Sequence, residues 1–191
     1  MAGETDNDLI QALMQELPGF EGNIPFLYLD TVGKVTTGIG HMIRSAADAP
    51  AIPFVDRTTG AAADSAAIAA AYGQIQAAPK GLLAHAYEKY TSLNLPNGWA
   101  EQDAGDRLAQ EFLPKVKTLY ATYDTFPLTA RVALLDMAYN LGIAGLREYQ
   151  HLKAYCEGGH WTQAAQQCHR KGISDTRNNW TSQQFLAAAT A

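Results

Sequence analysis

The sequence predicts an α+β fold: a small β-hairpin lobe packed beside a larger all-helical lobe. Three observations carry this. Strand-like runs are confined to the first third of the chain, around a Val32-Gly33 turn. From residue 64 onward the apolar spacing is helical almost to the end. One helix, 128–141 (LTARVALLDMAYNL), is apolar nearly all the way round, as suits the centre of a bundle. With 191 residues, 47% of them hydrophobic, the chain can bury a core as a single domain over 1–191. Its charged fraction of 17% argues against disorder. The β-lobe is expected over about 19–60, and the helical lobe over about 64–191 together with an N-terminal helix, 8–17.

That N-terminal helix is read from Leu9, Ile10, Leu13, Met14 and Leu17, which share one face; Pro18-Gly19 is expected to stop it. Phe26–Leu29 and Lys34–Thr37 are strands, and Ile52–Val55 is a candidate edge strand with a Thr59-Gly60 turn. The alanine-rich stretch 64–77 is a helix capped by Asp64 or Ser65. Its stripe of Ile68, Tyr72 and Ile75 would dock on the β-lobe, so the segment 45–96 is expected to be folded and to widen that lobe by a strand. A second helix, 81–92, is followed by an Asn94–Gly98 loop and a long helix, 101–121, kinked at Pro114. Gly142 ends the central helix. A pair at 145–156 and 161–170 flanks Gly158-Gly159, and a last helix covers 178–189.

A net charge of −5 without a cluster of Lys and Arg disfavours nucleic acid as a partner. No apolar run approaches the ~18 residues of a membrane span, so membrane insertion is not expected. The acidic start lacks the order of a signal peptide. The expectation is a protein made in the cytoplasm without a cleaved signal and delivered by another route, or a piece cut from a longer chain.

FEGNIPFLYLDTVGKVTTGIGH, residues 20–41, places Glu21, Asp30, Thr36 and Thr37 in one turn-rich segment. Glycoside hydrolysis needs two carboxyl groups astride the scissile bond, one protonated to serve the leaving oxygen and one ionised. A glutamate at a helix end and an aspartate on an adjoining strand could supply them, in a cleft between the lobes. From the chemistry alone, such a pair is far more often solvated surface charges or caps.

Glu-x8-Asp-x5-Thr followed by Gly38-Ile39-Gly40-His41 resembles the active-site signature of the phage-type lysozymes, glycoside hydrolase family 24. The resemblance resumes at ALLDMAYNLG (133–142), GGHWTQAAQQC (158–168) and GISDTRNNW (172–180), covering with the first segment roughly half the chain. It implies a lysozyme-like domain and a muramidase acting on the β-1,4 bond between N-acetylmuramic acid and N-acetylglucosamine, without a cofactor. Glu21 would be the general acid, Asp30 would orient or activate water, and the Thr36 hydroxyl would help to hold it, with inversion at the anomeric carbon. Gly40, Met42, Tyr139 and Asn140 match cleft-lining positions, though Tyr139 suits a core equally. Arg177 matches a basic residue that reaches the acid. Thr37 stands where an apolar residue is usual and is a rival for the water-holding hydroxyl; strand alternation puts it on the face opposite Thr36. Asn178 replaces a second arginine, and the segment after His41 is longer than in compact relatives.

The rivals are a lytic transglycosylase, which would form an anhydro product, and an inactive peptidoglycan-binding module. The implied partners are peptidoglycan glycan strands and an immunity or inhibitor protein, with the enzyme a monomer acting in the periplasm or cell wall. Lysis by a phage, a phage tail and a secreted antibacterial toxin are all compatible routes. His41 reads as an ion-pairing or hydrogen-bonding group at the hairpin end. Cys156 and Cys168 fall on apolar helix faces, which leaves buried thiols or a disulfide open; the His and Cys spacings fit no standard zinc pattern, and no metal is assigned.

Overall fold

The computed structural model describes residues 5–190, so the acidic start over 1–4 lies outside the described residues. The chain is mixed α and β and divides into two compact units: Glu21–Ala104, and the segments before and after it. The β-containing unit therefore reaches far beyond residue 60. The alanine-rich helix, placed by number within the helical lobe but expected to dock its apolar stripe on the β-lobe, belongs to this unit and packs on the strands.

In the helical unit, α1 (Asp6–Glu21) opens with a reciprocal cap. The Thr5 hydroxyl accepts from the Asp8 N–H, and Asp8 Oδ2 accepts from the Thr5 N–H at 2.8 Å. Leu9, Leu13 and Leu17 are fully buried at the expected spacing. Pro18 does not stop the helix, which continues to Glu21. Proline there forfeits the bond to the Met14 carbonyl and crowds that turn, a local cost that the burial of the Leu9, Leu13 and Leu17 face offsets. Pro114 is absorbed differently: α3 (Trp99–Arg107) passes through a π-helical turn, Leu108–Phe112, into α4 (Leu113–Leu119). Widened turns of this kind are a usual way for a helix to take up an irregularity.

α5 (Leu128–Arg147) buries every residue from Ala130 to Tyr139 and breaks at Gly142, whose φ of 70° and ψ of 165° are not helical. Its buried stretch packs on α8 (Asp175–Ala188), while α7 (Trp161–Gln167) packs on α8 and on α6 (Gln150–Glu157). The Ser174 hydroxyl caps α8 by accepting from the Arg177 N–H. No helix among the described residues is long and apolar enough to cross a membrane.

In the other unit, β1 (Ile24–Leu29), β2 (Val35–Gly38) and β3 (His41–Met42) form an antiparallel sheet in that order. β3 has no sequence-level expectation. The register shifts between Ile24 and Tyr28, and there the Thr37 hydroxyl donates to the Phe26 carbonyl at 3.1 Å. A side chain thus takes up a carbonyl beside the irregularity. The expected edge strand forms only at β4 (Val55–Asp56), which pairs with β5 (Leu93–Asn94) as a separate sheet and does not widen the first.

α2 (Ser65–Gln76) is capped by Asp64, whose carboxylate accepts from the Ala67 N–H at 2.7 Å. Ile68, Ala71, Tyr72 and Ile75 are buried, and the helix packs on β1 and β2. The segment expected to be helical over 81–92 is a run of 3-10 turns, Ala84–Tyr90. Pro79 and Gly81 leave it little length for a regular helix, and it is held by the Tyr87 hydroxyl donating to the Pro79 carbonyl at 2.8 Å.

Candidate active site

Glu21 is the last residue of α1, and Gly22, at φ 75°, turns the chain directly into β1. Asn23 holds that corner by donating to Glu101 at 2.7 Å. The bend after β2 brings Gly40 back against the Glu21 side chain. A methyl carbon built on Gly40 would lie 3.1 Å from Glu21 Oε2, and its φ of 64° is one that glycine alone adopts at little cost. The Gly-Ile-Gly segment is thus shaped to receive a carboxyl group.

Asp30 closes the β1–β2 hairpin. Its Oδ1 accepts from the N–H groups of Val32, at 2.9 Å, and Lys34, at 2.7 Å. Gly33 supplies the left-handed residue of the turn at φ 79°. Oδ2 of Asp30 has no hydrogen-bond partner among the described residues and is open to solvent or a ligand. Thr36 is buried and donates to the Lys34 carbonyl at 3.2 Å, which leaves its oxygen lone pairs to accept. The Thr37 proton is committed to Phe26, so of the two threonines Thr36 is the one on the Asp30 face.

The register carries this face across the sheet. Tyr28 lies directly opposite Thr36, and Thr36 opposite Met42. Met42 is 46% exposed. Tyr28 has no role in the sequence reading, although its place two residues before Asp30 in an alternating strand puts it on the same face. Burial pushes its hydroxyl up to about 12, and the charges of Glu21 and Asp30 add to the shift. His41 pairs with Thr37 on the other face. Its Nδ1 lies 2.8 Å from Asp103 Oδ2, a half-buried contact that fixes the hairpin end against α3. Its ring also lies 6.0 Å from that of Trp99.

The remaining sequence-predicted residues lie in the helical unit. Tyr139 is buried, its ring 5.0 Å from that of Phe112, with the Arg107 guanidinium over its face and donating to its hydroxyl. Asn140 Oδ1 accepts from Arg170 at 3.4 Å. Arg177 makes a fork to Asp136, with Nη2 at 2.7 Å and Nε at 3.0 Å, and its guanidinium covers the Phe20 ring. Asp136 also binds Arg170 at 2.9 Å and accepts from Thr181 at 3.2 Å, all of it buried. Asn178 clasps the Arg170 backbone on both sides at 3.0 Å, a job the guanidinium of an arginine there could not do as an acceptor.

Cys156 and Cys168 are free thiols, both buried. The disulfide alternative is not realised: Cys156 sits on the packed face of α6, and Cys168 donates to the Ala165 carbonyl at the end of α7. Burial pushes Cys156 up to about 12 and Cys168 to about 11. Among the described residues, no three His, Cys, Asp or Glu side chains converge as metal ligands would.

Neither protein-family models nor curated protein sequences give a match to this chain.

Proposed function

We propose that this chain is a peptidoglycan muramidase with a lysozyme-like fold, hydrolysing the β-1,4 bond between N-acetylmuramic acid and N-acetylglucosamine. The observation that carries the reading is the Gly40 backbone turned against the Glu21 carboxyl, on the same unit as an aspartate with one pinned and one open oxygen. In its protonated form Glu21 donates to the glycosidic oxygen as the bond to the anomeric carbon breaks. Oδ2 of Asp30 takes a proton from the attacking water, and the Thr36 oxygen accepts its second hydrogen. Water adds from the face opposite the leaving group, so the product is the inverted anomer. Met42 would contribute apolar surface to the bound sugars, and Tyr139, Asn140 and Arg177 serve as support in the helical unit. The reaction uses no cofactor. The same reading leaves three routes of delivery to the cell wall: an endolysin, a phage-tail lysozyme, or a secreted toxin domain restrained by an inhibitor protein.

Glu21→Gln tests it. The amide cannot donate the proton, so lysis of cell walls should be lost with the melting temperature nearly unchanged. Asp30→Asn should lose most of the activity, since an amide is a poor base. The released muropeptides should carry a reducing end, α anomer first. Wild-type turnover in Glu21→Gln refutes the reading, and an anhydro-muramic product replaces it with transglycosylation.

A further inference from the structure

We propose that Tyr28 is a further residue of the hydrolytic site, its hydroxyl sharing with Thr36 the task of holding the attacking water in front of Asp30. The inference rests on the muramidase reading and adds to it a residue that the sequence motif does not contain.

The sheet register is the first support. Tyr28 and Thr36 are direct cross-strand partners, and side chains so placed have Cβ atoms about 5 Å apart on one face. Asp30 follows Tyr28 by two residues, one step past the end of β1, and its N–H still bonds the Lys34 carbonyl at 2.9 Å, so the pairing that sets this face reaches it. The environment of the phenol is the second. The residue is only 8% exposed, yet among the described residues its hydroxyl has no hydrogen-bond partner, and it is not sealed from solvent. A buried tyrosine normally satisfies its hydroxyl within the protein, as Tyr87 and Tyr123 do here. Tyr28 instead offers one donor and two acceptor sites outward. The third support is electrostatic: after burial, the negative charges of Glu21 and Asp30 both raise this hydroxyl, as carboxylates in its neighbourhood would. Held protonated by burial and by those charges, it remains a donor throughout the neutral range.

A water in this position can donate to Asp30 Oδ2 and to the Thr36 oxygen while accepting from Tyr28. That fixes its lone pair and leaves it one approach to the anomeric carbon. Without the phenol proton the water is held at two points and samples poorer angles of attack. Misplacement of this kind costs rate and leaves substrate binding little changed.

Tyr28→Phe keeps the ring and removes the hydroxyl. On soluble glycan fragments, kcat should fall roughly ten- to a hundredfold with KM within about twofold, the same anomer and an unchanged melting temperature. A second measurement does not depend on activity. The Tyr28 hydroxyl, followed by NMR at its ring carbon, should titrate lower in Glu21→Gln and in Asp30→Asn, because each removes a negative charge from its surroundings. If neither substitution moves that titration, the hydroxyl does not lie near the carboxyls and the proposal falls. If the titration moves but Tyr28→Phe keeps wild-type kcat, or loses only KM, the proposal falls while the muramidase reading stands. If wild-type protein cleaves no peptidoglycan while Glu21 is intact, the muramidase reading fails and this inference with it.

Discussion

Replacing Gly40 with alanine separates the demand of the backbone from that of the carboxyl beside it. The first cost is conformational. At φ 64° an alanine occupies the left-handed region, at roughly 1–2 kcal/mol. For a chain of this size each kcal/mol lowers the melting temperature by about 2–4 °C, so a fall of about 2–8 °C is expected. The second cost is steric. The added methyl would stand 3.1 Å from Glu21 Oε2, inside ordinary contact by a few tenths of an ångström. The terminus of a glutamate can retreat by that amount cheaply in energy but not in geometry. On the muramidase reading Glu21 is a reacting group, where a displacement of about 1 Å costs on the order of a hundredfold in rate, so a third to a half of it should cost roughly five- to tenfold.

Gly60 supplies the control. Its φ is 70°, but a methyl there meets nothing within 4 Å. Gly60→Ala should therefore lower the melting temperature by a similar amount and leave turnover unchanged. Both variants are measured by thermal unfolding and by the clearing rate of a cell-wall suspension, well below either melting temperature. If Gly40→Ala loses stability like Gly60→Ala and keeps full turnover, the close approach of Gly40 to Glu21 has no bearing on catalysis.

Asp136→Ala strips the buried arginines Arg170 and Arg177 of their shared carboxylate, and should cost about 3–5 kcal/mol in urea unfolding. An effect under about 1 kcal/mol would show the cluster to be solvated. Cys156 and Cys168 should resist alkylation at pH 8 in the native protein and react once it is denatured, as scored by intact mass. The same thiols set an alkaline limit. Unfolded thiols ionise near pH 9, whereas the native ones hold their protons to about 11 and 12, so above pH 9 the unfolded chain binds fewer protons. Stability should then fall as pH rises, by up to about 1.4 kcal/mol per pH unit for each thiol, until the native thiols also ionise. A flat unfolding free energy between pH 9 and 11 would contradict this.

The sequence made the helical unit legible where a single face decides an element. Leu9, Leu13 and Leu17 repeat at the helical period, and the all-round apolar stretch before Gly142 forms the buried helix. It failed where local signals are overruled or too short. Pro18 reads as a stop, but the packing of the Leu9, Leu13 and Leu17 face carries the helix past it. β3 and β5 are two residues each, below the length at which alternation can be seen, and both exist because a partner strand stands beside them. The proposed site is carried by a motif, whereas the places of Tyr28 and Asp103 were not legible. Their significance lies in what stands opposite, a register and a tertiary contact that no spacing along the chain encodes.

Most of the motif answers to folding before it answers to chemistry. Asp30 ties two backbone N–H groups of the hairpin, Gly33 supplies the turn, Thr36 braces the Lys34 carbonyl, and Thr37 takes up the Phe26 carbonyl. A binding module that had lost activity would need all four to keep its sheet. Their presence therefore does not separate an enzyme from such a module, and damage at Asp30 confounds turn and chemistry unless the amide oxygen of asparagine preserves the turn. At Glu21 the unusual backbone serves one side chain: Gly40 takes a left-handed conformation and leaves no Cβ where the carboxyl stands. On the muramidase reading that close approach holds the proton donor, and so the test that decides between enzyme and module is the one made at Glu21.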